Sequence, residues 1–433
     1  MSMAGSGNKL NPGVDRREVF GWAMYDFANS GYTTVVLTAV FSAYFVAGVA
    51  GKAPWATLAW TTALSVSYAI VMLTMPTLGA LADRRAHKKR FLLMSTVGCV
   101  AATAALALVG PGQVALAMVL IIVSNTLYSY GESLSAAFLP ELARKDALGT
   151  VSGWGWSFGY FGGMLALGVC LAYVLWAQAR GLGAGDFVPV TMLVTAAIYA
   201  LASVATFTLL KERAVPQPDQ HPGQAGLSHL HQLVRALQSL RQYPDFAWLL
   251  LCTVFYQAGV AVAITLAAIY AEQVIGFAPS ETMVLIFVLN LAAATGAFGL
   301  GFFQDRVGHK PTLAVTLAGW VLTCVLAGLS QTKADFWVAA VLAGVCMGSS
   351  QSASRAMTGL FAPEQKLAEF YGLWSFATRL ASIIGPLSFG AITWATGGNQ
   401  RVAILSTAVF FVLGLLMMVP LNIARGRAAA HPD

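Results

Sequence analysis

Charge is scarce in this sequence: Asp, Glu, Lys and Arg make up 10% of its 433 residues, against 58% hydrophobic. A soluble domain carries about a quarter charged residues. A solvated surface of the required size is therefore excluded, and the chain reads as a polytopic membrane protein. Cysteine is scarce too. Cys99, Cys170, Cys252, Cys324 and Cys346 all fall in apolar stretches without metal-ligand spacing, which argues against a disulfide framework and against a zinc site. The sequence has no intramembrane histidine or metal cluster, no Walker-type phosphate loop and no nucleophile elbow. No cofactor is expected, and ATP-driven transport and enzymatic chemistry are set aside. Residues 1–17 lack the apolar core of a cleavable signal, so the first apolar segment is expected to target the chain.

What is present is apolar length. A spanning helix needs about 20 apolar residues. Twelve stretches qualify, at roughly 20–48, 56–81, 91–110, 113–138, 150–177, 187–210, 246–271, 282–304, 311–330, 335–360, 367–395 and 402–424. The widest polar gap divides them six and six. The expected organisation is a cytoplasmic segment (1–19), a six-helix half (20–210), a central loop (211–245), a second half (246–424) and a tail (425–433). Inside the loop, "LSHLHQLVRALQSLRQ" sets Leu227, Leu230, Leu233 (or Val234), Leu237 and Leu240 at helical spacing beside Arg235 and Arg241. That is the pattern of an amphipathic surface helix; a partly ordered linker is the alternative.

With the N-terminus inside, the inner segments collect Lys9, Arg16, Arg17, the cluster from Arg84 to Arg90, Arg144, Lys145, Lys211, Arg213, Arg235, Arg241, Arg306, Lys310, Lys366, Arg425 and Arg427. The outer loops hold Lys52, Arg180, Lys333 and Arg401. This bias predicts both termini on the cytoplasmic side of a bacterial inner membrane. It also accounts for the net charge of +7 without a nucleic-acid partner.

The chain repeats itself. "GALADRRAHK" (79–88) is echoed by "GFFQDRVGHK" (301–310), "FLPE" (138–141) by "FAPE" (361–364), and "GWSF" (155–158) by "LWSF" (373–376). "FANSG" in the first span finds a partner in "FYQAG" (255–259) of the seventh. Four echoes in order indicate two homologous six-helix halves, an arrangement that places a substrate site between them near the midplane.

The loop signature resembles that of the major facilitator superfamily. "YDFANSGYTTVV", "FLPELA", "GWGWSFGYFGG", "QSASRAMTGLFAPE" and "AEFYGLWSFATRLASIIGPLSFG" resemble the vacuole effluxer-like family, which includes autophagy-related amino-acid effluxers. The resemblance implies an all-α major facilitator fold of twelve helices, alternating access, and export or exchange of small solutes. Two places depart from the family pattern: "FYQAG" with Gln257, where the family shows Asn-Asp, and Glu132 in "YSYGESL". Asp83 and Asp305 are implied to sit at helix N-termini of the opposite half, where a carboxylate is stabilised. Gly79, Arg84, Gly301 and Arg306 belong to the same loops, with Arg84 and Arg306 pairing across the cytoplasmic face and the loops latching the outward-facing state.

Ionisable groups in hydrocarbon are costly and face a polar interior. Asp26 shares a face with Asn29, Ser30 and Thr33, which either lines the cavity or is sealed by an arginine in a helix contact. Burial favours a neutral carboxyl, so Asp26 is a candidate proton carrier. If its span begins near Leu367, Arg379 lies about 18 Å in. A face shared with Gly372, Ser375, Ser382 and Pro386 is expected to line the lumen. There Arg379 suits a substrate carboxylate; the alternative is an ion pair with Asp26 or Glu132. Glu132, on a stripe with Asn125, Tyr128 and Ser135, is expected nearer the cytoplasmic end, for gating or coupling. Arg355, one turn after Gln351, is a gate contact. The glycine run of helix 5 reads as close packing. Tyr25, Tyr32, Trp154, Trp156 and Trp374 are candidate lining aromatics. The leading reading is a secondary transporter for a small carboxylate-bearing solute, amino acids or related molecules, with protons as coupling ion. The other is a membrane receptor or scaffold on a transporter fold.

Overall fold

The computed structural model describes residues 9–51, 53–216 and 229–430. Among them, twelve helices are long and apolar enough to cross a membrane. The first half comprises α1 (Arg16–Val49), α2 (Ala56–Arg85), α3 (Lys88–Leu108), α4 (Val114–Leu142), α5 (Leu148–Ala179) and α6 (Ala184–Leu209). The second comprises α7 (Pro244–Tyr270), α8 (Pro279–Val307), α9 (His309–Leu329), α10 (Lys333–Phe361), α11 (Leu367–Ala395) and α12 (Gln400–Met418). Successive spans alternate in direction, so both described ends of the chain lie on one face, the terminal face.

Helix starts follow local chemistry. Pro279 opens α8, and the Glu281 carboxylate accepts a hydrogen bond from the Ala278 N–H at 2.7 Å. At α10, Thr332 Oγ1 accepts from Asp335 N (3.2 Å) and the Asp335 carboxylate accepts from Thr332 N (3.0 Å). The last span stops at Met418, short of the expected 424, because Pro420 has no N–H to continue it. The chain restarts as a short helix, Ile423–Ala430, that Arg425 fixes to Asp245 at the start of α7 (2.7 and 2.8 Å). A surface helix does form in the central loop, at His229–Ser239, burying Leu233 and exposing Val234 and Leu237. Leu227 and Lys52 lie outside the described residues.

Two features were not expected from sequence. In α1 the helix relaxes into π turns over Tyr32–Ala39 and Phe45–Val49; such turns recur at functional sites. On the terminal face the N-terminal segment adds a strap: Leu10 bridges to Ala143, and Lys9 Nζ donates to Thr150 Oγ1 at 2.9 Å. Burial holds the Lys9 ammonium below its ordinary pKa. Nearby, Glu212 accepts from the Lys88 and Lys89 N–H groups at the start of α3, and burial raises its carboxyl pKa.

The halves meet along two seams, α2 against α11 and α5 against α8. Both seams are closed at glycines. A Cβ on Gly79 would enter the Ala368 backbone, and one on Gly153 the Ala297 carbonyl. Small residues permit such approach in a medium where lipid is as apolar as any side chain. Gly79→Leu is accordingly expected to destabilise the protein by about 1–3 kcal/mol, as overpacking does. Gly168, with nothing within 4 Å of its missing Cβ, is expected to accept leucine without loss. Thermal unfolding of the two purified variants checks the contrast.

Candidate functional site

Asp26 lies ten residues into α1, and Arg355 of α10 reaches it across the halves: Nη1 donates to Asp26 Oδ2 at 2.6 Å. Its other two nitrogens each donate once as well, Nε to Ser152 Oγ (3.1 Å) and Nη2 to the Ser152 carbonyl (2.7 Å). The guanidinium stands over the Trp22 and Trp156 rings, 4.8 and 5.3 Å from their centroids. Room for the pair is made by Gly155, whose absent Cβ would meet Arg355 Nη2 and Asp26 Oδ2, each at 2.6 Å. The glycine run of α5 is therefore close packing at Gly153 and space for charge at Gly155.

A second cross-half pair joins Arg379 of α11 to Glu132 of α4. Tyr68 and Tyr128 flank it, their centroids 5.6 and 6.0 Å from the guanidinium carbon. Tyr128 is in turn stacked on Tyr32 at 5.2 Å. Arg379 differs from Arg355 in one respect: its Nε is buried and has no hydrogen-bond partner.

Both pairs border a cavity of about 630 Å³ between the halves. It runs from Asp26 to Tyr270, Leu285 and Phe336, at the ends of α7, α8 and α10 farthest from the terminal face. The terminal face is shut. Asp83 accepts from the Ala368 and Glu369 N–H groups at the start of α11 (3.0 and 2.9 Å). Asp305 accepts from the Gly149 and Thr150 N–H groups at the start of α5 (2.9 Å each) and from Thr150 Oγ1 (2.5 Å). Both carboxylates thus occupy the positive end of a helix in the other half. Ser152 Oγ donates to the Ser352 carbonyl (2.9 Å) between them and the cavity. Among the described residues, the inter-half hydrogen bonds reach as far as Tyr160 and Arg379, and none is found beyond.

Of the expected residues, Asp26, Asn29, Thr33, Tyr128, Glu132, Gln257, Gln351, Arg355, Trp374 and Arg379 line the cavity. Tyr160 O–H donates to Gln351 Oε1 at 2.6 Å. Tyr32 does not line it: the ring is fully buried behind Tyr128, with its hydroxyl bonded to Ser124. Trp156 and Trp374 line it; Tyr25 and Trp154 do not, Tyr25 being bonded to Thr96 and Tyr199 in the core. Glu132 lies four residues before Ala136, where the continuous part of α4 ends, and it pairs with Arg379, twelve residues into α11. The expected lumenal face of α11 divides: Thr378, Arg379 and Ser382 face the cavity, Gly372 packs on Met75 and Pro76, and Pro386 faces a separate pocket. Gly301 stands against the Gly149 carbonyl, as the seam requires. Arg84 and Arg306 form no ion pair within 4 Å among the described residues, because Asp83 and Asp305 turn to the helix ends. Sequence reasoning missed Trp22, Tyr68 and Ser152, ordinary lining or core types with no periodic signal.

Two six-helix halves around a central, ion-paired cavity define a secondary transporter of the major facilitator fold. Solved structures share it: the human organic anion transporter MFSD10 (TETRAN) superposes with a TM-score of 0.74 at 14% identity, covering 93% of this chain and 99% of that one. An outward-facing bacterial homologue of the iron transporter ferroportin gives 0.70 at 14% identity, covering 94% and 99%. Residues 55–150 and 147–431 match the family described as vacuole effluxer Atg22 like, and the chain belongs to that family. It is 28% identical to the uncharacterized MFS-type transporter YxiO of Bacillus subtilis over 92% of this chain and 93% of that protein. Autophagy-related protein 22 of Cryptococcus neoformans is 26% identical over 45% of this chain and 38% of its own length.

Removing one partner of a buried ion pair strands the other charge, at a cost of about 3–5 kcal/mol. Asp26→Ala is expected to lower stability by that order, and the double variant Asp26→Asn, Arg355→Gln to recover most of it. Thermal unfolding of both variants checks this.

Proposed function

We propose that the protein moves a small carboxylate-bearing solute, amino acids or related molecules, by alternating access, as an exporter or proton-coupled exchanger. The observation that carries this reading is Arg379: a guanidinium on the cavity wall, 12% of its side chain accessible, whose one hydrogen bond among the described residues is that of Nη2 to Glu132. Its planar fork accepts a carboxylate through two parallel hydrogen bonds. A substrate carboxylate there displaces Glu132, which in a water-poor site takes a proton or pairs with the substrate's ammonium. Asp26, Asn29, Tyr128, Gln257 and Gln351 complete the polar end, and protons are the coupling ion.

The basic bias of the terminal-face segments orients both termini to the cytoplasm of a bacterial inner membrane. The cavity is then the outward-facing one. Asp83, Asp305 and the Asp26–Arg355 pair form the inner gate, and rocking of the halves breaks these contacts to expose the site to the other side. The 28% identity to YxiO, an MFS-type transporter by name, over nearly the full length of both chains supports transport as the activity.

A ligand that binds the folded state at 100 times its Kd stabilises by about 2.7 kcal/mol. Amino acids, dipeptides and organic anions screened by thermal shift are expected to yield carboxylates as hits. Arg379→Ala is expected to abolish the shift and Arg379→Lys, which loses the fork, to weaken it. A shift unchanged in Arg379→Ala would reduce the residue to a structural partner of Glu132.

A further inference from the structure

Resting on the carboxylate reading of Arg379, we infer that the substrate is amphiphilic: a carboxylate bearing an extended apolar tail, larger than a free amino acid. The cavity is charged at one end only. Arg379, Glu132, Gln257 and Gln351 gather with Asp26 at its deep end. From there to its mouth, the second half contributes Val260, Ile264, Leu285, Leu289, Phe336 and Met347.

The first half faces this wall with hydroxyls, but their protons are already committed. Ser30 Oγ donates to the Asp26 carbonyl (2.8 Å), Thr34 Oγ1 to Ser30 O (2.9 Å) and Thr38 Oγ1 to Thr33 O (3.0 Å). In the second half Asn290 Nδ2 donates to the Ile286 carbonyl (2.8 Å), and Thr323 Oγ1 to Gly319 O (2.9 Å). A solute polar along its whole length finds few donors beyond the deep end. In that stretch such a solute gains less than an apolar tail, which removes the wall from water.

Size points the same way. At about 630 Å³ the cavity falls among pockets that enclose drug-sized ligands, roughly 300–1,000 Å³. A free amino acid anchored at Arg379 leaves the wall from Val260 to Phe336 against water. A tail covers it, and each methylene buried there tightens binding about fourfold.

The test uses the full-length protein in lipid nanodiscs, with empty nanodiscs subtracted for partitioning. The probes are glycine and N-acetyl-, N-butyryl-, N-hexanoyl- and N-octanoylglycine, titrated by calorimetry. The inference predicts that Kd falls by about an order of magnitude for each two carbons added. In Ile264→Asn, a partly exposed position on the cavity wall, the gain with length should shrink. A Kd independent of length, tighter binding of glycine than of its acyl derivatives, or no binding of the acyl series overturns the inference. In Arg379→Ala the whole series should weaken. A length dependence that survives there with undiminished affinity supports the apolar wall and overturns the carboxylate role of Arg379.

Discussion

A charge in hydrocarbon must be matched, and this molecule matches its two deepest arginines across the boundary between its halves. Arg355 meets Asp26 and Ser152 through each of its three nitrogens, over two indole faces. A pair held that way across the halves reads as a contact of closure. The floor of the cavity, the position of Asp26 at its edge and the space left at Gly155 all depend on it. The bond spans α1 and α10, so separating the halves at the terminal face means breaking it.

Arg379 uses the same chemistry differently. Its partner Glu132 is more open to the cavity than Asp26, with 22% of its side chain accessible against 12%. One of its donors is left without a partner. The two arginine–carboxylate pairs thus differ in how many of the arginine nitrogens are engaged. The aspartates of the repeated loops supply the third layer, each held by two backbone N–H groups at the start of a helix in the other half. These are charge–dipole contacts at the membrane edge, weaker than a desolvated ion pair and suited to repeated making and breaking.

The twelve spans and the two halves were legible because hydrocarbon imposes a length and an apolar composition, and a repeated loop survives as matched letters. Asp83 and Asp305 were legible for the same reason. What stayed hidden depends on pairing in space. Asp26, Glu132, Arg355 and Arg379 stood out singly as charges in apolar runs, but which acid meets which arginine is decided by helix packing. Tyr32 and Tyr128 share a type, yet one stacks behind the other. The π turns of α1 carry no residue signal, and Thr34 and Thr38, which line the cavity, lie within them. Arg84 and Arg306 kept their charge for the membrane surface and, among the described residues, form no ion pair within 4 Å, because the neighbouring carboxylates are taken by helix ends.

The central claim is that cross-half polar contacts at and below the terminal face hold it shut. Pulsed electron–electron distances between spin labels test it directly, with one pair at Asp146 and Glu364 on the terminal face and another at Arg180 and Thr396 on the opposite face. In the doubly neutral Asp26→Asn, Arg355→Gln protein, the terminal-face distance should lengthen and the opposite-face distance shorten relative to the parent. Unchanged distributions on both faces would contradict the account and leave the pair as an assembly contact alone.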